Sequence, residues 1–154
     1  MKQKWRNFMT VLVLKINKNR LHDEEFVRPV TDLLEDFKVV DYREVKNLDF
    51  DKVIICGTAL KDNEYLDNLD KFSWLKNCKK PVLGICAGMH IIGKILGYDL
   101  IENKKIGVED NKYYLHSFKI EGLDESLEVE NFKGMLFHPE VLNKELIKDF
   151  VNLT

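Results

Sequence analysis

Three short runs of apolar, largely β-branched residues, Thr10 to Ile16, Val53 to Cys56 and Pro81 to Ile85, constrain this chain more than any other feature. Each reads as a buried strand. Between them the apolar residues recur at helical spacing. Phe26, Val30, Leu33, Leu34 and Phe37 predict a helix with Pro29 in its first turn, and Leu66, Leu69, Phe72 and Leu75 predict another. Val39 and Val40 add a short strand, and Met89 to Leu96 reads as a buried helix ended by Gly97. This alternation predicts an α/β fold of three layers, a mostly parallel twisted sheet with helices on both faces. Ligand sites in such folds lie at the carboxyl ends of the strands. Beyond Gly97, Tyr113 to Ile120 and Leu127 to Phe137 read as strands, and Asn143 as the cap of a last helix carrying Leu146, Ile147 and Phe150.

A chain of 154 residues, 45% hydrophobic, suits one core. A single domain is expected over residues 10–154, with residues 1–9 as a disordered extension. The formal charge of -2 offers no positive excess for a polyanion, so neither nucleic acid nor a membrane surface is expected as a partner. The longest apolar run, Val11 to Leu14, is far below the ~20 residues of a membrane span, and no signal-peptide pattern is present. A soluble, cytoplasmic protein is the expectation. Cys56, Cys78 and Cys86 are odd in number and lack paired close spacing, which argues against a disulfide framework. The histidines lack carboxylate or cysteine partners at ligand spacing, so no metal or cofactor is expected.

Two segments can carry chemistry. Gly84-Ile85-Cys86-Ala87-Gly88 has the form of an elbow, where small neighbours permit a sharp strand-to-helix turn that exposes a nucleophile. The positive end of the following helix would face the sulfur, and the Ala87 amide could meet a developing oxyanion. A free cysteine can equally be a small buried hydrophobe. In Phe137-His138-Pro139-Glu140 a base and a carboxylate stand two positions apart, on one side of extended backbone, so Glu140 can orient the His138 imidazole toward Cys86. Alone, that tripeptide reads as an ordinary turn; it gains weight from the elbow cysteine.

Pro81 to Gly88 and Gly134 to Glu140 together, in that order, resemble the two signature segments of class I glutamine amidotransferases. Tyr114-Leu115-His116-Ser117-Phe118 resembles the family strand that helps hold the substrate. The resemblance runs from Thr10 to the C-terminus. It implies a flavodoxin-like architecture and a glutaminase in which Cys86 is the nucleophile, His138 moves protons and Glu140 supports it. It places an oxyanion hole at the backbone of Ala87, Gly57 and Thr58, and substrate contacts around His90, His116, Ser117 and Phe118. A separate synthase would receive the ammonia. The chain departs from the family at the loop Cys56-Gly57-Thr58-Ala59-Leu60, which is usually Gly-Gly-Pro-Gly, and at His90, where a glutamine is usual. His90 is thus either a pocket residue or a satisfied structural histidine. The short stretch between Gly97 and His116 predicts that part of the pocket wall or of a partner surface is missing. These departures keep two alternatives open, a thiol hydrolase of another γ-glutamyl or small amide, and a non-catalytic regulatory domain.

Overall fold

The computed structural model describes residues 10–46 and 49–153; the expected extension, residues 1–9, lies outside the described residues. The chain runs through β1 (Thr10–Lys15), α1 (Asp23–Phe26), α2 (Arg28–Thr31), β2 (Asp36–Asp41), β3 (Lys52–Ile55), a 3₁₀ helix (Glu64–Asn77), β4 (Val82–Ile85) and α3 (Ala87–Ile95). It continues through β5 (Leu100–Glu109), β6 (Lys112–Ile120), β7 (Ser126–Val129), β8 (Phe132–Met135), α4 (Pro139–Leu142) and α5 (Lys144–Asn152). A six-stranded sheet has the order β2-β1-β3-β4-β8-β7, parallel except for the β7–β8 pair.

The apolar runs explain the layers, because successive side chains of a strand point to opposite faces. Leu12, Leu14, Val53, Ile55 and Val82 face the 3₁₀ helix and α3, where Phe72, Leu75, Met89 and Ile92 close one core. Val11, Val13, Ile54, Leu83 and Ile85 face the other way, against Val27, Val30, Ile147 and Phe150. Both faces are covered, as the expected three-layer α/β fold requires. Among the described residues no helix is long and apolar enough to cross a membrane.

Several elements differ from expectation. The helix expected from Phe26 to Phe37 is two short helices that break at Val27, and Phe37 belongs to β2, 38% exposed. Pro29 has no amide to continue the α1 ladder, so it sits in the first turn of α2 instead. The segment carrying Leu66 to Leu75 is 3₁₀ rather than α and breaks at Asn68 (φ -129°, ψ 34°). The Asn68 side chain donates to the Glu64 carbonyl at 3.0 Å, a local bond that competes with helix geometry. The strand expected from Leu127 to Phe137 is a hairpin, turned at Glu130 (φ 51°) and held by the Asn131 amide group on the Cys78 and Lys80 carbonyls.

The stretch between Gly97 and His116 is not merely a shortened connection. It contains β5, which pairs antiparallel with β6 through a turn at Asp110 and Asn111, both at positive φ. The resulting two-stranded sheet stands beside the carboxyl ends of the main sheet. Asn143 precedes α5 as expected, but its side chain donates to the Asn111 carbonyl at 3.1 Å and fastens the helix start to the hairpin turn.

Candidate active site

The ends of three neighbouring strands meet. Gly57 follows β3, Cys86 follows β4 and His138 follows β8. Cys86 sits at φ 53°, ψ -106°, a conformation that costs a non-glycine residue about 1–3 kcal/mol. The turn is over-determined: the Cys86 amide donates to the Met135 carbonyl at 2.6 Å, and its carbonyl accepts from the Met89 and His90 amides as α3 begins. Gly88 lets α3 seat on the sheet, since a Cβ there would lie 2.3 Å from the Ile55 carbonyl oxygen. As the first residue of α3, Ala87 has an amide with no intrahelical acceptor, directly beside the sulfur.

The Cys86 thiol is 2% exposed and donates to the Leu115 carbonyl at 3.2 Å. His138, 1% exposed, is held by its amide on the Tyr113 carbonyl at 2.8 Å, and the Phe26 and Tyr113 rings flank its imidazole. Its Nδ1 donates to Glu140 Oε2 at 2.8 Å, which leaves Nε2 buried and without a partner. Burial alone would push this imidazole down, but Cys86 and the Glu140 carboxylate outweigh it and hold the group well above the ordinary histidine value. Gly57 separates the imidazole from Cys86: a Cβ there would sit 2.6 Å from His138 Cε1 and 3.4 Å from Cys86 Cβ. No other residue type fits between them.

Cys56 contrasts with Cys86. It is fully buried, and burial followed by the nearby Glu140 pushes its thiol up, so it is no nucleophile at neutral pH. Cys78 is half-buried beside the Lys80 carbonyl, away from the strand ends that meet at Cys86.

Of the remaining expected residues, all but Phe118 line the same place. Thr58, His90, His116 and Ser117 border a space of about 10 Å³ in front of Cys86, together with Leu60 and Tyr65. His90 Nδ1 accepts from the Tyr65 hydroxyl at 3.0 Å and Nε2 donates to the Phe118 carbonyl at 2.8 Å, so the ring is saturated. Burial drives it down to about 4, and it is neutral. His116 donates from Nδ1 to the Asn103 carbonyl at 2.8 Å and keeps Nε2 buried and unpartnered; burial, with Lys105 and His138 nearby, lowers it as well. Ser117 Oγ donates to the Leu60 carbonyl at 2.9 Å, and the Phe118 carbonyl is taken by His90. Tyr65 and the rings of Phe26 and Tyr113 were not singled out for the site from sequence, for none lies in a motif, whereas the Leu115 carbonyl belongs to the strand segment the resemblance pointed to. Among the described residues no group of three or more His, Cys, Asp or Glu could hold a metal ion.

A doubly covered parallel sheet with a strained cysteine elbow, and a histidine–carboxylate pair at the neighbouring strand end, defines a class of α/β domain that gathers these three side chains at its strand ends. Residues 23–152 match the family Glutamine amidotransferase class-I, and the chain belongs to that family. A glutamine-hydrolysing GMP synthase of Borreliella burgdorferi strain N40 is 26% identical, matching 94% of this chain and 36% of its own length. The chain thus spans about a third of that relative. The imidazole glycerol phosphate synthase subunit HisH 1 of Vibrio vulnificus strain YJ016 is 24% identical over 63% of this chain and 76% of its own. Among solved structures, a Thermoplasma acidophilum protein assigned to GMP synthase superposes with TM-score 0.76 at 18% identity, over 95% of this chain and 94% of that one. A glutamine amidotransferase of Thermotoga maritima gives 0.62 at 15% identity, covering 88% and 77%.

Proposed function

We propose that this chain hydrolyses the side-chain amide of glutamine through Cys86 and that a separate synthase uses the ammonia. The observation that carries the reading is the approach of the Cys86 elbow to the His138–Glu140 pair across the glycine at position 57. The Cys86 thiolate attacks the amide carbon, and the oxyanion takes hydrogen bonds from the Ala87 amide and from the Gly57–Thr58 backbone. His138 gives its proton to the departing nitrogen, so ammonia leaves and a γ-glutamyl thioester remains. Water then attacks the thioester, His138 takes its proton, and glutamate departs with the thiolate restored. Glu140 keeps the Nδ1 proton in place throughout and leaves Nε2 to do the transfer. The strand from Leu115 to Phe118 supplies the wall for the amino-acid end of the substrate. A synthase partner is supported by the relatives, one being a synthase that hydrolyses glutamine and the other belonging to a synthase of several chains.

A second reading, hydrolysis of a different γ-glutamyl amide, draws on His90 and Tyr65, which bond each other where the family's glutamine would be free for substrate. One experiment serves both. The protein is treated with a glutamine-mimicking electrophile, with and without competing glutamine, and labelled cysteines are mapped by mass spectrometry. Selective labelling of Cys86 that glutamine suppresses is expected. Labelling suppressed by another γ-glutamyl amide but not by glutamine supports the second reading, and an unlabelled Cys86 in folded protein sinks both.

A further inference from the structure

The loop after β3 has one turn of its own, closed by the Asp62 amide on the Ala59 carbonyl at 3.0 Å, and takes the rest of its definition from its neighbours. Asp62 Oδ2 accepts from the Thr58 hydroxyl at 2.7 Å and from the Lys18 amide, in the loop after β1, at 2.6 Å. One carboxylate oxygen therefore ties two strand-end loops together. On the opposite flank Ser117 Oγ holds the Leu60 carbonyl. The loop between these two fastenings faces a space of about 10 Å³ at Cys86 on one side. On the other it faces a cleft of about 550 Å³ bordered by Lys18, His22, Lys61 and Asp67. Ala59, Lys61 and Asp62 border the cleft, so on that side the outer part of the loop is held toward Cys86 by these bonds and by the Asp62 amide on the Ala59 carbonyl at 3.0 Å rather than by packing.

We infer that Asp62 is a positioning residue for amide hydrolysis, holding the Gly57–Thr58 backbone at the distance from Cys86 where it meets the oxyanion. The inference rests on the proposed roles of Cys86 and of that backbone. A donor displaced by about 1 Å loses most of its value in the transition state, on the order of a hundredfold in rate, while the ground-state substrate is little affected. Releasing Asp62 should consequently lower kcat and leave KM nearly unchanged. It should not slow alkylation of Cys86 by iodoacetamide, since that displacement forms no oxyanion and a looser loop only widens access.

Three variants of the full chain test this. Asp62→Ala is expected to lower kcat for glutamine about tenfold to a hundredfold, with the Cys86 alkylation rate equal or higher. Asp62→Asn keeps an acceptor oxygen and should retain kcat within about threefold. Thr58→Val removes only the hydroxyl half of the link, stands in if Asp62→Ala does not fold, and adds little further loss when combined with Asp62→Ala. An unchanged kcat in Asp62→Ala overturns the inference. So does a parallel fall in hydrolysis and alkylation, which marks general damage to the site. If the unsubstituted protein itself is neither labelled at Cys86 nor hydrolyses glutamine, the proposed function fails, and the role of Asp62 in it fails with it.

Discussion

At Cys86 the backbone is forced into a conformation few residues adopt, and the neighbouring groups are packed to keep it there. The tightest of these contacts is Gly57 against His138, where a Cβ would overlap the ring at 2.6 Å. Gly57→Ala is expected to lower glutamine hydrolysis by about a hundredfold or more by pushing the imidazole off line, and to destabilise the fold by about 1–3 kcal/mol because the ring is packed on every side. His138 also makes stability depend on pH. Its folded-state value lies above the ordinary 6.5, so the folded protein binds the proton more tightly than the unfolded chain does. That contribution is fully present below pH 6.5 and is lost as pH rises through the folded value. Urea midpoints of the unsubstituted protein and His138→Gln should therefore converge as pH rises above 6.5.

At the scale of elements, one buried side chain joins three of them. His90 on α3 receives the Tyr65 hydroxyl from the 3₁₀ helix and donates to Phe118 on β6, which holds the β5–β6 hairpin over the strand ends. Its linkage has the opposite sign to that of His138. With a folded value of about 4 against the ordinary 6.5, the stabilisation is complete above pH 6.5 and drains away as pH falls toward 4. The loss approaches about 3 kcal/mol across that window. Chemical denaturation of His90→Gln should show a flatter acid limb than the unsubstituted protein; identical limbs would mean that another group governs it. The hairpin also shows why element boundaries were hard to read. Its strand β5 is largely exposed and carries Glu102, Asn103, Lys104 and Lys105 in succession, so it lacks an apolar period, although Asp110-Asn111 is a legible turn signal.

For the molecule as a whole, the C-terminal helix is secured by an unusual anchor. Lys52, 2% exposed at the start of β3, donates from Nζ to the carbonyls of Phe150, Val151 and Leu153 at 2.6, 2.8 and 2.6 Å. The ammonium meets the negative end of α5 and satisfies carbonyls that a helix terminus leaves open. Lys52→Met should destabilise the protein by about 3 kcal/mol and raise amide exchange across α5, because three partly buried acceptors lose their donor. The anchor lies at the end of the sheet opposite Cys86, so the alkylation rate of Cys86 in the folded variant is expected to match that of the unsubstituted protein.

The sequence by itself determined the buried strands and which side chains stand at their ends. Thr10 to Ile16, Val53 to Cys56 and Pro81 to Ile85 are apolar almost throughout, and only strands covered on both faces accommodate that. The Cys86 elbow and the His138-Pro139-Glu140 segment are legible because their geometry is local, set by a few consecutive residues. What the tertiary structure alone decided depends on groups far apart in the chain. Position 37 reads as the end of a helix in the sequence, and only its pairing with β1 makes it a strand. His90 is neutral because Tyr65 and Phe118 reach it, and Asp62 joins Lys18 to Thr58 across two loops. Such bonds leave no period or spacing behind, since each partner is an ordinary residue until the fold brings the other within hydrogen-bonding distance.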